Sequence, residues 1–128
     1  MNLSIEIDDK KIAGLLCCGF EGGVGYWCAI TGYKKPKKPV AHLSDDGTVY
    51  PHNDYALCGG AVLCCIDDDN GLDKSRKLVL NRAAIERGMK IMAEKYPRHF
   101  GDFMCGNEDS TTGDVFIQCC LLGEIVYG

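Results

Sequence analysis

A chain of 128 residues, 46% hydrophobic and 25% charged, has the size and composition of one globular domain and not of a disordered segment. Its net charge of −4 argues against a general nucleic-acid binder, which presents excess positive charge. No apolar run approaches the about 20 residues of a membrane span, and "MNLSIEIDDK" lacks the basic and apolar regions of a signal peptide, so a soluble intracellular setting is expected.

In chain order, "NLSIEI" alternates, with Leu3, Ile5 and Ile7 on one side, and predicts a half-buried strand. Asp8 or Asp9 offers a helix cap. Ile12, Leu15, Leu16, Gly19 and Phe20 recur at helical spacing and predict a helix over 9–20, ended by Gly22-Gly23 in the left-handed conformation. "YWCAITGY" predicts a strand, "KKPKKP" (34–39) an exposed loop, and Asp46-Gly47 a hairpin turn. "AVLCCI" and "KLVL" read as strands joined by a polar loop over 67–76. A helix then opens at the N-cap Asn81, with Leu80 and Ile85 as a hydrophobic staple, and closes at Pro97, with one or two further turns over "RHFGDFMC". In "TTGDVFIQCCLLGEIVYG", apolar residues from Val115 to Val126 surround the last helix on nearly all sides. Such a helix is central in the fold or buried in a subunit contact. The whole predicts one α+β domain over 1–128, a small and largely antiparallel sheet packed against three to four helices.

Nine cysteines, most of them in apolar runs, read as buried reduced thiols. There is no C-x-x-C and no cysteine at zinc-finger spacing from a histidine. The acidic loop "DDDNGLDKSR" fails the calcium-loop test, since Ile66 stands at the first position when Gly71 is the sixth. No metal or cofactor is expected. No G-x-S-x-G or H-E-x-x-H is present, and no residue is singled out as catalytic.

Three stretches are candidates for a binding site. In "EGGVGYW", Gly22 and Gly23 let backbone amides approach an anion, Tyr26 or Trp27 offers a stacking face for a base, and Glu21 can accept hydrogen bonds from a base edge or ribose. In "YPRHF", Arg98 can hold a phosphate and His99 can stack or donate. In "STTGD", Thr112 and Asp114 lie at a helix start, where amides and hydroxyls form an anion site.

"FEGGVGYW", "AEKYPRHFGDF" and "TTGDVFIQCCLLGEIVYG" together resemble a family of small bacteriophage and prophage proteins of unassigned function. Its members carry an E-G-G-x-x-Y-W stretch and a T-x-G-D-x-x-x-Q end, often with Ser-Asn where this chain has Val24-Gly25. The resemblance spans almost the whole chain and is loosest over 34–80. It implies phage origin and a host-cytoplasm setting, not a reaction; small non-enzymatic phage proteins of this size commonly counter host defence, and such a role is expected. The expected function is a non-enzymatic oligomer that sequesters a nucleotide second messenger, a cyclic oligonucleotide or an ADP-ribose derivative. The alternative is a protein inhibitor docking on a host defence nuclease complex, in the manner of anti-CRISPR proteins.

Overall fold

The computed structural model describes residues 6–37, 43 and 46–128. Helix α1 spans Asp9–Gly22, strand β1 Cys28–Lys34, a single turn of helix α2 Pro51–Asp54, β2 Ala61–Asp68, β3 Gly71–Leu80, α3 Arg82–Lys95, α4 Pro97–Met104 and α5 Ser110–Leu122. A short 3-10 turn, Ala56–Cys58, joins α2 to β2. The three strands form one sheet in the order β1-β2-β3, antiparallel throughout. The chain is a single α+β domain, with five helices and this sheet among the described residues.

The local chemistry explains most boundaries. Asp8 caps α1, its carboxylate accepting from the Lys10 amide at 3.0 Å. Asn81 caps α3 by accepting from the Ala84 amide at 2.9 Å, and Leu80 and Ile85 beside it are buried. Pro97 stands at the start of α4, where its missing amide proton costs nothing. Five cysteines, Cys28, Cys64, Cys65, Cys119 and Cys120, are buried as small apolar side chains.

Several sequence expectations are displaced. Residues 1–5 of the expected first strand lie outside the described residues, and Glu6 and Ile7 belong to no helix or strand. Part of the 34–39 loop also lies outside them; Lys34 ends β1 and 35–37 are irregular. The expected polar loop over 67–76 is largely strand: β2 and β3 turn at Asp69-Asn70, with Gly71 taking φ +94° just after the turn. Polar side chains there reflect solvent exposure of a hairpin end, not a break in pairing. Asp46-Gly47 does turn, with Gly47 at φ 74°, but it leads to α2 and not to a strand. The last helix stops at Leu122, because Gly123 takes the left-handed conformation (φ 83°) and turns Glu124–Gly128 back across the domain.

Helix α5 is the centre of the packing. Every residue from Thr112 to Cys120 is buried, and the helix lies against both α1 and α3. Glycines set both contacts. A Cβ on Gly113 would stand 2.3 Å from the Gly19 amide nitrogen of α1, and a Cβ on Gly88 of α3 would stand 2.7 Å from the Cα of Cys120. Glycine meets glycine at the α1 contact, and at the α3 contact Gly88 leaves the room that Cys120 fills. Leu15, Leu16, Ile85, Met92, Phe103, Phe116 and Ile117 fill the remaining space.

Two glycine substitutions should therefore move stability in opposite directions. Gly113→Ala drives a methyl group into the α1 backbone and is expected to cost about 3 kcal/mol or more. Gly14→Ala, in the middle of α1 with nothing within 4 Å of the new Cβ, should add about 0.5–1 kcal/mol through helix propensity. Urea denaturation of the two variants beside the parent checks both signs.

Candidate functional site

The bend after α1 meets the start of α5 at one buried carboxylate. Asp114 sits a turn into α5, 8% exposed. Its Oδ1 accepts from Trp27 Nε1 at 2.7 Å and from Gln118 Nε2 at 3.0 Å, and its Oδ2 accepts from the Tyr26 hydroxyl at 2.6 Å. Charge-assisted bonds of this kind are about twice as strong as neutral ones, and burial of the acid is tolerable because its oxygens are occupied.

Gln118, four residues on and fully buried, carries the arrangement to the chain's last residues. Its Oε1 accepts from the amides of Val126 (2.8 Å) and Tyr127 (2.9 Å), while Nε2 donates to Asp114 and to the Tyr127 carbonyl at 3.1 Å. The side-chain amide thus uses both donors and both lone pairs. Held this way, Tyr127 stacks on Trp27 with ring centres 5.4 Å apart and planes 8° from parallel, and its hydroxyl donates to Asp68 of β2 at 2.8 Å. The amide of Ile125 donates to the Tyr96 hydroxyl at 2.8 Å.

Between this returning segment and the α1 bend lies a cleft of about 400 Å³. Gly22, Gly23, Tyr26, Asp114 and Val115 line it together with Ile125, Tyr127 and Gly128, as do His99, Ser110 and Thr111, and Ser110 lies directly against Gly22 and Gly23. A second groove of about 300 Å³ holds Arg98, Asp102 and Asp109 and shares His99 and Thr111 with the first. Both volumes are at the scale of ordinary small-molecule sites.

Of the nine residues singled out from sequence, Gly22, Gly23, Tyr26, His99 and Asp114 line the cleft, and Arg98 and Thr112 line the adjoining groove. Their roles differ from those expected. Tyr26 and Trp27 lie in a turn before β1 and not within it, and Trp27 is fully enclosed. The indole cannot stack on a ligand, since Asp114 holds its N–H and Tyr127 covers its face. Tyr26, 49% exposed, is the aromatic that remains open. Glu21 points to the other side of α1, where it accepts from Cys17 Sγ at 2.6 Å and meets His52 Nε2 at 3.2 Å. One residue is about 100° of helix rotation, and that separates Glu21 from the cleft that Gly22 enters.

The expected anion cradles are also altered. The amides of Gly23 and Val24 both donate to the Gly19 carbonyl, so they are spent within the bend. Gly23 has φ −115° and not a left-handed value; it is glycine because a Cβ would stand 2.5 Å from the Ser110 carbonyl oxygen. At the start of α5, Asp109 accepts from the Thr112 amide at 3.0 Å and the Thr112 hydroxyl closes the capping box. The domain's own carboxylate occupies that position, and buried Thr112 serves the cap. Tyr127 was not singled out from sequence, while Ser110 and Thr111 belong to the "STTGD" stretch that was. Gly123, a residue suited to ending a helix, is the signal that could have separated Tyr127 from the helix.

Comparison with protein-family models, with curated proteins and with solved structures finds no match to this chain. Among the described residues, no helix is long and apolar enough to cross a membrane.

Burial, together with the bond to Asp114 and its charge, pushes the Tyr26 hydroxyl from 10.0 up to about 12. A proton held more tightly by the folded than the unfolded chain stabilises the fold fully below the ordinary tyrosine value, and that contribution drains away as pH rises through the folded one. The parent should accordingly lose more stability between pH 10 and 12 than Tyr26→Phe does, as measured by urea denaturation across that window. At pH 7, Asp114→Asn should cost about 2–3 kcal/mol, because three bonds to a carboxylate become neutral ones, and Tyr26→Phe only about 1 kcal/mol. Burial likewise raises the thiols of Cys17 and Cys119 to about 11. Native alkylation followed by peptide mapping should label exposed Cys105 first and the five buried cysteines only on unfolding.

Proposed function

We propose that this protein binds a nucleotide signal in the cleft between Tyr26 and Arg98 and holds it without turnover. One observation carries the reading: an open aromatic side chain and an exposed arginine line two cavities joined through His99 and Thr111. A flat base suits the Tyr26 end, where Val115, Ile125 and Tyr127 add apolar surface. A phosphate suits the Arg98 end, with the Thr111 hydroxyl and His99 beside it. Asp102 and Asp109 flank that end and limit the negative charge it can accept. Of the two ligand classes expected, an ADP-ribose derivative gathers its charge in one diphosphate that the single Arg98 guanidinium can meet, whereas a cyclic oligonucleotide sets its phosphates apart around a ring, so the former fits better.

Binding without chemistry is favoured because Asp114, the buried acid nearest the base end, is committed to three donors and has no role left as a general base. The phage resemblance supplies the setting: such a protein would withdraw a defence signal from the host.

A thermal-shift series with ADP-ribose and cyclic dinucleotides tests this. Ligand at a hundredfold excess over its Kd stabilises the folded state by about 2.7 kcal/mol, enough to raise Tm by several degrees. ADP-ribose should give that shift, Arg98→Ala should remove most of it, and heat-released ligand should be recovered unchanged. Absence of a shift with every nucleotide, together with co-purification of a defence nuclease, would favour the protein-inhibitor alternative.

A further inference from the structure

We infer that a second binding site lies on the sheet, where β3 bulges away from β2, and that it takes a small apolar carboxylate: a short acyl chain or single ring against Leu63 and Val79, its head group met by Lys74 and Lys77. The site shares no lining residue with the nucleotide cleft and stands independently of that reading.

Strand pairing makes the site. Cys64 pairs with Leu78 and Ile66 with Asp73, so Cys65 alone stands against the four residues Lys74, Ser75, Arg76 and Lys77. An ordinary bulge sets two residues against one. Here the surplus is larger, and all four residues are exposed. On its other edge β2 meets a second irregularity. Ile30 pairs with Cys64 and Gly32 with Leu63, which leaves Thr31 as the extra residue, its hydroxyl donating to the Leu63 carbonyl at 3.2 Å. Asp73 holds the larger bulge in shape: its Oδ1 accepts from the Ser75 amide at 2.9 Å and from the Ser75 hydroxyl at 2.5 Å. Bulges re-aim side chains and are over-represented beside functional sites.

A cavity of about 270 Å³ opens at this place, lined by Thr31, Leu63, Cys65, Lys74, Lys77 and Val79 among others. Much of its apolar surface lies outside the core. Val62, Cys64, Leu78 and Leu80 belong to the core, whereas Leu63 and Val79, which pair directly across β2 and β3, do not. Cys65 is buried without belonging to it either. Among the described residues neither Lys74 nor Lys77 forms an ion pair, and the nearby Asp73 carboxylate is engaged with Ser75. The charge of Lys74 reaches the Cys65 thiol, which burial raises most and Lys74 pulls back. Cations beside uncovered apolar surface suit a ligand that brings an anion and a hydrophobic body together. Asp67 and Asp73 also act on that thiol, so the head group is a single negative charge, a carboxylate and not a phosphate dianion. The volume stands just under the range of drug-sized sites, which keeps the body to a short chain or one ring.

Octanoate and its neutral analogue octanamide, titrated calorimetrically into the parent protein at low salt, isolate the head group. Octanoate should bind one to a chain and about tenfold more tightly than octanamide, the combined effect of two exposed ammonium contacts. The double variant Lys74→Ala/Lys77→Ala should bring the two ligands to equal affinity without changing that of octanamide. Val79→Glu, at an exposed position, should weaken octanoate about tenfold and octanamide less. Lys77→Met, expected to cost octanoate about threefold, supplies the same reading should circular dichroism show the double variant unfolded. Octanamide binding as tightly as octanoate, lysine variants that bind octanoate like the parent, or no saturable binding of either octanoate or phenylacetate would overturn the inference.

Discussion

The arrangement of this domain turns on a carboxylate that cannot be left alone. Asp114 is buried against the α1 bend, where an unpaired charge would cost several kcal/mol. Three side-chain donors, from Trp27, Tyr26 and Gln118, remove that cost. Each then has a second task. Trp27 supports the Tyr127 ring, Gln118 grips the returning segment, and Tyr26 stands half in solvent with its hydroxyl fixed. Satisfying one acid thus builds the wall of a cleft.

The acid reaches this position only because helices approach closely. Gly113, immediately before Asp114, lies against Gly19 of α1, and Gly23 lies against the Ser110 carbonyl. Methyl groups at these points would force the α1 bend away from α5 and lengthen the bonds to Asp114. The three glycines of "EGGVGYW" are therefore not equivalent. Gly23 serves close packing, Gly22 has only ordinary contact with Ser110, and Gly25, with open space around its Cβ position and no left-handed φ, has no packing duty. Val24 between them is core, 3% exposed, which explains why an apolar residue suits that position in this chain.

Electrostatically the cleft is graded and not uniformly cationic. Arg98 and His99 line the groove that adjoins it, tempered there by Asp102 and Asp109. A net charge of −4 repels polyanions at long range.

How much of this was legible in the sequence depends on the range of the interactions involved. A helix cap at Asp8 or Asp9 and one at Asn81, the buried "AVLCCI" strand and the all-round apolar pattern of α5 were readable, because each expresses periodicity or a contact within a few residues. The α+β class followed from their order. Five of the nine site candidates do line the cleft, since glycines, an aromatic and a histidine carry recognisable chemistry wherever they fall. Which of two adjacent aromatics would be open was not readable: Trp27 is closed and Tyr26 open because Asp114, 87 residues further along, takes the indole proton. Nor could local pattern show that Glu21 would turn away, that the amides of the glycine bend would be spent on Gly19, or that Gln118 would hold Tyr127. The chain by itself determined elements whose causes lie within a turn or a strand. The tertiary structure decided which donors and acceptors remain available, because a hydrogen-bonding group is committed only when its distant partner arrives.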